Sequence, residues 1–464
     1  MKKINFKSIE SLILLFFVIR LYGIWYPPIE TWHSWRQTLT NMMARNMNEG
    51  NFSLLYPVVD MGGERTGIIG SEFPLYQSII AIFNHVFGYE HWYGRLISLI
   101  VASIATWCFY KIVERFFSTR IAWYGTIIFM SSLWFAFSRK SMPDTFAVSL
   151  VLIGIYWIIR FVDENKIWKL IIGIILLSLG GLCKIPAVYL FALYIPFALN
   201  KSILFKTKIH VAIGLIIACL IIGTWYFYWV PYLVNNYHFQ LFFPKGIIEG
   251  FRETQAHWSN FFLQFYFGAL RSYIVWIAII SGLVYLFYKS NRQVAIGFFV
   301  LTVVFVLFAI KTGTVFPTHN YYVLPFSPVL ATLAAIGLQR FKPKISIVLV
   351  ILIAIEGIGN QLSDFRFKDE FKYKLDLARQ VDLIVPKGEK IIVASGANPE
   401  GMYWCHRKGW SIEREQFSDI NFMNTIFKQK GRYIVTDKHE NYQLSQYKKI
   451  GSSKDLIVYY LDFK

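Results

Sequence analysis

Apolar residues are concentrated in long runs along the chain, and short basic connections separate many of these runs. A helix that crosses the hydrocarbon core of a bilayer needs about 20 predominantly apolar residues. Eleven runs are candidates for such helices, and some of them are shorter than this length. They comprise residues 11–26, 92–113, 121–137, 145–159, 168–182, 185–199, 209–230, 273–288, 294–310, 321–338 and 345–358. The pattern predicts an α-helical polytopic membrane protein with about 11 transmembrane helices.

Lysine and arginine residues alternate with these runs in a regular way. Every second connection is short and basic, as the positive-inside rule expects of cytoplasmic loops. The basic residues of these connections are Lys2, Lys3, Lys7, Lys111, Arg115, Arg120, Arg160, Lys166, Lys169, Lys201, Lys206, Lys208, Lys289, Arg292, Arg340, Lys342 and Lys344. We therefore predict a cytoplasmic N-terminus and, because the number of spans is odd, a C-terminus on the outer side.

Two connections on the predicted outer side are long, and both carry ionisable and aromatic residues. They comprise about residues 27–91 and 231–271. Long ordered loops tend to carry function. We assign both loops to a transmembrane domain that comprises residues 1–360.

The composition changes after about residue 361. The stretches "EKIIVASG", "GRYIVTDKHE" and "DLIVYYLDF" are short, rich in β-branched residues and bounded by Gly, Lys and Asp, which predicts strands. "FKYKLDLARQVDLI" has apolar residues at helical spacing. We predict a small α/β domain of residues 361–464, a typical domain size, on the extracytoplasmic side.

The composition supports a membrane protein, with 55% hydrophobic and only 16% charged residues. The net charge of +19 could indicate nucleic acid binding. Basic residues beside spans more often report topology and anionic lipid, so we expect membrane lipid and not nucleic acid as the partner. The four cysteines are scattered and form no CxxC pair, so we predict neither a disulfide framework nor a zinc site.

The segment that follows the first apolar run combines a predicted helix with chemically active residues. "SWRQ" matches a capping box, and Trp35, Leu39, Met42, Met43 and Met47 recur at helical spacing up to a stop at Gly50. We predict a surface helix over 35–49 with its Trp and Met face in the bilayer interface. Its N-terminus, with His33 and Arg36, is a candidate site for an anion such as phosphate; contacts with lipid head groups would equally explain Arg36, Trp32 and Trp35.

Further ionisable residues lie at the predicted outer ends of the spans. Each of them alone could be a cap, a snorkelling side chain or a structural residue. Charge near a membrane is costly without partners, and all of these residues fall on one predicted face, which favours a functional site. They are Glu30, Asp60, Glu64, Glu72, Arg139, Lys140, Asp144, Lys184, Lys311 and His319, with Tyr321 beside them.

The order of these motifs resembles the GT-C membrane glycosyltransferases, specifically the bacterial family 39-like group related to protein mannosyltransferases and the aminoarabinose lipid A transferase. The resemblance covers about residues 21–328. It rests on "HSWRQ…ARNM", "EFPLY…FG…GRL", "SRKSMPD", "GGLCKIP" and "HNYYVLPFSP", in that order.

The resemblance implies sugar transfer from a polyprenyl-phosphate donor to a protein, lipid or glycan acceptor, at the outer face of the bacterial cytoplasmic (inner) membrane, by an inverting reaction. The family carries an Asp-Glu pair where this chain has Arg36 and Gln37, so the base has to be another residue: Glu30, with His33 beside it, or Asp60 or Glu72. Basic residues would hold the departing phosphate. The implied donor-binding residues are Trp32, Arg36, Arg139, Asp144, Lys184, His319 and Tyr321.

Other functions share parts of this pattern. A transporter or flippase of lipid-linked saccharides would show repeat symmetry and polar residues at mid-membrane, whereas these spans are apolar almost to their ends. A polymerase of lipid-linked repeats differs only in its acceptor. No cofactor is required by the pattern, and no clear metal site is present, although Glu30, His33 and Asp60 could together hold a divalent metal.

Overall fold

The computed structural model describes residues 8–30, 32–240, 245–288, 292–440 and 444–463. Lys2, Lys3, Lys7 and Lys289, which contribute to the predicted topology, lie outside these residues. Compactness groups the described residues into two units. The first unit draws on Met1–Ile24, Gly94–Tyr228 and Phe242–Phe365, and the second on Trp25–Tyr93, Trp229–Leu241 and Arg366–Lys464. The division at residue 360 follows a change of composition and stays a prediction.

Each of the eleven predicted apolar runs coincides with helical structure. Among the described residues, five helices are long and apolar enough to cross a membrane: Tyr93–Phe116, Pro143–Glu164, Phe205–Tyr237, Arg292–Lys311 and Asn320–Leu338. The number of spans and their direction in the membrane stay predictions. The other α-helices of this part of the chain are Ile9–Arg20, Thr119–Ser131, Trp134–Phe137, Ile167–Cys183, Tyr194–Leu199, Ile247–Gln255, Trp258–Leu263, Val275–Tyr288, Val315–Thr318 and Pro343–Gly359.

Glycines allow two helix pairs of the first unit to pack with their backbones in close contact. A Cβ atom on Gly337 would lie 1.8 Å from the carbonyl oxygen of Ala278. A Cβ atom on Gly154 would lie 2.9 Å from the carbonyl oxygen of Gly173. Helices in a membrane associate through small residues of this kind, because lipid offers no hydrophobic driving force between them.

Two predicted spans of the first unit are irregular where candidate site residues occur. The run at 185–199 begins as the 3₁₀ helix Ile185–Leu193, because Pro186 cannot continue the preceding helix. Lys184 lies at this break with an extended backbone. The helix Asn320–Leu338 likewise begins as the 3₁₀ segment Asn320–Phe326. Such breaks free backbone and side-chain groups at a span end for other contacts.

The second unit contains a five-stranded sheet in the order β2-β1-β3-β5-β4. Its strands are β1 (Ile391–Val393), β2 (Gly409–Ser411), β3 (Tyr433–Asp437), β4 (Lys448–Ser452) and β5 (Leu456–Tyr460). β1 pairs with β2 and β3 in parallel, and β5 pairs with β3 and β4 in antiparallel orientation. The three predicted strands are β1, β3 and β5. The α-helices of this unit are Ser34–Glu49, Leu75–Phe87, Val230–Tyr237, Leu377–Asp382, Glu400–Cys405 and Ile420–Lys428.

The helix Ser34–Glu49 is buried, and the prediction that it lies in the bilayer interface is wrong. Met42 and Met43 are 0% and 2% exposed and belong to the core that also contains Leu377 and Tyr403. The Trp and Met periodicity correctly predicted a helix with an apolar face. The partners of that face are protein and not lipid: residues of the same segment, such as Val59 and Ile69, and C-terminal residues such as Leu377 cover it.

Candidate functional site

The N-terminus of the helix Ser34–Glu49 differs from the predicted capping box. Its N-cap is His33, which has a left-handed backbone with φ 63° and makes no side-chain cap bond. The Ser34 hydroxyl donates to the carboxylate of Glu400. Arg36 forms an ion pair with Glu72, and the two side chains are 7% and 13% exposed. The structure thus joins two predicted site residues, Arg36 and Glu72, to each other.

Glu30 contacts Gln37, which the resemblance aligns with one position of the family's Asp-Glu pair. The Gln37 amide donates to Glu30 Oε2 over 2.6 Å, and both residues are buried. The backbone of Glu30 forms an antiparallel bridge with Phe367. Trp32 is 55% exposed. Glu30 is therefore held in place from the backbone and from Gln37.

Asp60 is engaged by two donors of the same helix. Arg45 Nη2 donates to Asp60 Oδ2 over 2.8 Å, and the Asn46 amide donates to Oδ1 over 2.9 Å. Arg45 also donates to the carbonyl of Tyr403 over 3.0 Å. Burial disfavours the charge of Arg45, but Asp60 and its tyrosine neighbours outweigh burial and hold the pKa of this guanidinium above its ordinary value. Asp60 thus belongs to a buried ion pair.

Tyr403 connects the same helix with the end of the segment 27–91. Its hydroxyl lies 2.6 Å from the Tyr89 hydroxyl and 2.8 Å from His91 Nδ1. Burial raises the pKa of Tyr403 well above its ordinary value, so it stays a neutral hydrogen-bonding group. The contacts of Asp60, Arg45 and Tyr403 are those of a structural network that fixes the helix.

In the first unit, Asp144 and Lys184 form a loosely held pair. Asp144 lies in the first turn of the helix Pro143–Glu164, and its Oδ1 is 3.7 Å from Lys184 Nζ. Both side chains are largely buried. Asp144 Oδ2 has no hydrogen-bond partner among the described residues. A buried carboxylate oxygen in this state is unusual and indicates a group that another partner completes.

Aromatic rings and an imidazole lie beside this pair. The Lys184 ammonium is 5.7 Å from the ring centre of Tyr322. The ring of His319 is 5.5 Å from that of Tyr321, which is 5.0 Å from Tyr322. His319 Nδ1 is within 2.9 Å of the Thr318 hydroxyl. The structure therefore brings Asp144, Lys184, His319 and Tyr321 into one group through Tyr322.

Arg139 belongs to a buried loop that ends close to Asp144 in sequence. Its guanidinium carbon is 4.5 Å from the ring centre of Phe365. Lys140 Nζ is 3.0 Å from Asp364 Oδ1. The sequence did not single out Asp364 or Phe365, which approach predicted residues only through tertiary contact. Tyr322 was indicated by its place in "HNYYVLPFSP" beside Tyr321.

No group of three or more His, Cys, Asp or Glu residues that could hold a metal occurs among the described residues. The candidate cluster of Glu30, His33 and Asp60 is not formed, since Asp60 pairs with Arg45 and Glu30 accepts from Gln37. The convergence of Arg36 with Lys184 and His319 in one pocket stays a prediction.

Comparisons with known proteins agree with these elements. Residues 71–228 match the family model of the dolichyl-phosphate-mannose-protein mannosyltransferases. A sequence search among curated proteins finds no match.

Solved structures of low sequence identity share the fold over most of the chain. ArnT from Cupriavidus metallidurans, bound to undecaprenyl phosphate, is similar with a TM-score of 0.66 at 11% identity, over 98% of this chain and 99% of that one. The oligosaccharyltransferase AglB from Archaeoglobus fulgidus, in complex with an inhibitory peptide and a dolichol-phosphate, has a TM-score of 0.59 at 11% identity, over 94% of this chain and 70% of that one. The chain therefore has the fold of these membrane proteins, and its predicted resemblance to the protein mannosyltransferases is confirmed over residues 71–228.

Proposed function

We propose that the protein transfers a sugar from a polyprenyl-phosphate-linked donor to a hydroxyl acceptor, with inversion at the anomeric carbon. The observation that carries the proposal is the loosely held Asp144–Lys184 pair, with an unsatisfied Asp144 oxygen and with His319 and Tyr321 grouped nearby. The fold supports it, because two proteins of this fold were solved with undecaprenyl phosphate and dolichol-phosphate.

The basic residues would act on the leaving phosphate. Breaking the bond between the anomeric carbon and the phosphate oxygen places negative charge on that oxygen. Fixed donors in a buried site stabilise such charge more strongly than water does. Lys184 and His319 supply these donors, together with Arg139, and Asp144 orients the Lys184 ammonium. Tyr321 and Trp32 offer aromatic faces to the sugar or to the lipid chain.

Glu30 is our choice for the general base. Asp60 uses both carboxylate oxygens in bonds to Arg45 and Asn46, and Glu72 is held by the Arg36 guanidinium. A carboxylate paired with a guanidinium is a poor proton acceptor, because the cation favours the ionised form. Glu30 accepts from the Gln37 amide over 2.6 Å, and the resemblance aligns Gln37 with one position of the family's acidic pair. It would take the acceptor proton as the acceptor oxygen attacks the anomeric carbon.

The setting of the reaction belongs to the same proposal. We place the protein in the bacterial cytoplasmic membrane with the N-terminus inside and the residues after 361 outside. The acceptor is a protein, a lipid or a glycan, and the exposed Trp32 and the C-terminal sheet are the surfaces that would distinguish among them.

The test is a transfer assay with the purified protein in lipid nanodiscs and radiolabelled polyprenyl-phosphate sugars. Glu30→Gln removes the proposed base without changing its shape and should lower transfer by about 10²–10⁴-fold. Glu64→Gln is the matched control, since Glu64 lies in the same segment, is exposed and pairs only with a surface lysine, Lys390, in a described contact.

Each outcome distinguishes between functions. Transfer that is lost in Glu30→Gln and retained in Glu64→Gln supports the proposal. Passage of the sugar-lipid across a vesicle membrane with its glycosidic bond intact would support a flippase instead. Growth of a lipid-linked chain as the only product would support a polymerase.

A further inference from the structure

Arg20 is a fully buried arginine at the end of the first helix. Its exposed fraction is 0%, and it is the last residue of Ile9–Arg20. Its Nε donates to the carbonyl of Phe16 over 3.0 Å, and its Nη1 donates to the hydroxyl of Ser138. Its Nη2 has no hydrogen-bond partner among the described residues.

The surroundings of Arg20 make its charge costly. Arg139 interacts with it electrostatically as a second positive charge, and no carboxylate is within salt-bridge distance of Arg20 among the described residues. A buried charge without an opposite charge is expensive, and in a membrane protein it marks a functional group more often than a packing residue. An apolar side chain would fill the end of this helix at lower cost.

The partner of Arg20, Ser138, belongs to a loop that is fastened from two sides. Gln361 donates to the carbonyl oxygens of Ser131 and Ser132 over 3.1 and 2.9 Å and accepts from the amide of Ala136 over 3.2 Å. Lys140 pairs with Asp364 on the same side. Arg20 holds the loop from the first helix, through Ser138. Arg20 and Asp364 thus hold Ser138 and Lys140 in the segment 138–141, and Gln361 fixes the residues just before this segment.

This loop leads directly into the proposed donor site. It carries Arg139, and it continues through Met142 into the helix whose first turn contains Asp144. Asp144 is 3.7 Å from Lys184. A shift of the loop by a fraction of an ångström would move a guanidinium and a carboxylate of the site together. Precise placement of charged groups is what electrostatic stabilisation of a leaving phosphate requires.

We propose that Arg20 is a positioning residue for the donor phosphate. Its guanidinium holds Ser138 by a hydrogen bond, and its positive charge, which no carboxylate among the described residues offsets, raises the affinity of the loop 138–141 for an anion. The proposal rests on the proposed function, because it names the site in which the phosphate binds. Arg20 itself touches no reacting atom. It acts through Ser138 and Arg139.

Three substitutions separate the hydrogen-bonding geometry of the Arg20 guanidinium from its positive charge. Arg20→Lys keeps the charge and loses the planar fork, Arg20→Gln loses the charge, and Ser138→Ala removes the hydrogen-bond partner and keeps the charge. We expect Arg20→Gln to raise the donor KM by at least about tenfold, the loss of one charge-assisted hydrogen bond, with a smaller change in kcat. Arg20→Lys should raise the donor KM less than Arg20→Gln does. The donor KM of Ser138→Ala should lie between those of Arg20→Lys and Arg20→Gln.

Arg120 provides a matched control. Its guanidinium also bonds a carbonyl and a serine hydroxyl, at 3.3 Å to Phe341 and 3.2 Å to Ser346. Arg120→Gln should lower the thermal midpoint and leave the donor KM unchanged. If Arg20→Gln behaves like Arg120→Gln, with a lower midpoint and an unchanged KM, Arg20 is structural only and the proposal is overturned.

Direct binding separates failure of this inference from failure of the proposed function. The dissociation constant of undecaprenyl phosphate is measured for the intact protein in nanodiscs, without any transfer step. If the wild type binds the lipid but transfers no sugar, the proposed function fails, and weaker binding by Arg20→Gln still supports the role of Arg20. Equal binding by wild type and Arg20→Gln overturns it.

Discussion

Two buried pairs of a carboxylate and a cation differ in how fully the carboxylate oxygens are hydrogen-bonded within the protein. In the second unit, Arg45 and Asp60 are 2.8 Å apart, and the other oxygen of Asp60 accepts from Asn46. In the first unit, Lys184 and Asp144 are 3.7 Å apart, and Asp144 Oδ2 has no partner among the described residues. We call these the closed pair and the open pair.

The hydrogen-bonding state of each carboxylate distinguishes a structural role from a role in substrate binding. In the closed pair both oxygens of Asp60 are already bonded within the protein, whereas Arg45 Nε has no hydrogen-bond partner among the described residues. The Asp60 carboxylate is therefore engaged in structural bonds. In the open pair Asp144 Oδ2 lacks a hydrogen-bond donor among the described residues, so a ligand group that donates to it, such as a sugar hydroxyl, would complete it. The sequence marked Asp60 and Asp144 alike as site residues. The geometry favours a structural role for Asp60 and a binding role for Asp144.

Breaking the closed pair should have the largest effect on stability. Asp60→Asn leaves the Arg45 guanidinium buried without its opposite charge, so the free energy of unfolding should fall by about 3–5 kcal/mol. Chemical unfolding in detergent measures the change. Asp369→Asn is the control, because that carboxylate is exposed and should change stability by no more than about 0.5 kcal/mol. Equal stability of Asp60→Asn and wild type would remove the closed pair from the comparison.

Altering the open pair should affect activity more than stability. Lys184→Gln keeps a polar contact for Asp144 and removes the positive charge from the leaving phosphate. We expect transfer to fall by about 10²–10³-fold, the usual loss of one electrostatic donor, with a smaller fall in stability than for Asp60→Asn. A steady-state transfer assay measures it. Full activity in this variant would contradict the binding role of the open pair.

Apolar replacement of both partners should sharpen the contrast. Arg45→Met combined with Asp60→Leu removes two buried charges together, which is often neutral or stabilising. That double variant should retain both its fold and its transfer activity. Asp144→Leu combined with Lys184→Met should also fold, but without transfer. Equal activities of the two double variants would show that completeness does not distinguish the pairs.

A thiol near the closed pair offers the smallest but most direct readout. Burial raises the pKa of the Cys405 thiol to about 12. At pH 8 the thiolate is then about one part in ten thousand, so a maleimide should label native Cys405 very slowly. Labelling should accelerate as pH rises towards 12. Because the unfolded thiol ionises near its ordinary value of 9.0, this group also lowers the stability of the folded state between pH 9 and 12.

The experiment uses a variant in which Cys108, Cys183 and Cys219 are replaced by alanine, so that Cys405 alone reports. Asp60→Asn in this background should increase labelling at pH 8, because the Arg45 contact with Tyr403 loosens. Fast labelling of the parent at pH 8 would contradict the burial of Cys405.

Periodicity predicted the helices of the apolar runs and the helix Ser34–Glu49, but it missed Leu75–Phe87, Ile247–Gln255 and Ile420–Lys428 and predicted the sheet incompletely. The apolar runs were visible because each is continuous in sequence. β2 (Gly409–Ser411) and β4 (Lys448–Ser452) were missed because they are short and contain Gly, Ser and Lys, and pairing with β1 and β5 defines them. A strand of this kind exists through its neighbours and has no local signature.

The candidate site shows a similar limit. The sequence identified the ionisable residues of the segment 27–91, but their partners depend on folding. Arg36 was expected to hold a phosphate and is paired with Glu72, and the helix that carries it is buried in part by residues more than 300 positions later. The sequence cannot distinguish a cationic side chain that is available to a ligand from one that is already paired with a carboxylate, because the pairing forms only in the folded structure.

The contact of Gly337 with Ala278 has a mechanical consequence. Where two helix backbones are in contact, no side chains lie between them that could change rotamer and allow sliding. We therefore expect Val275–Tyr288 and Ser327–Leu338 to move together as a rigid pair. The seam between them is sealed against hydrocarbon. If the proposed function holds, the isoprenoid tail of the donor should leave the first unit beside Arg292–Lys311, the candidate span with the smallest share of its apolar window buried in protein, 22%.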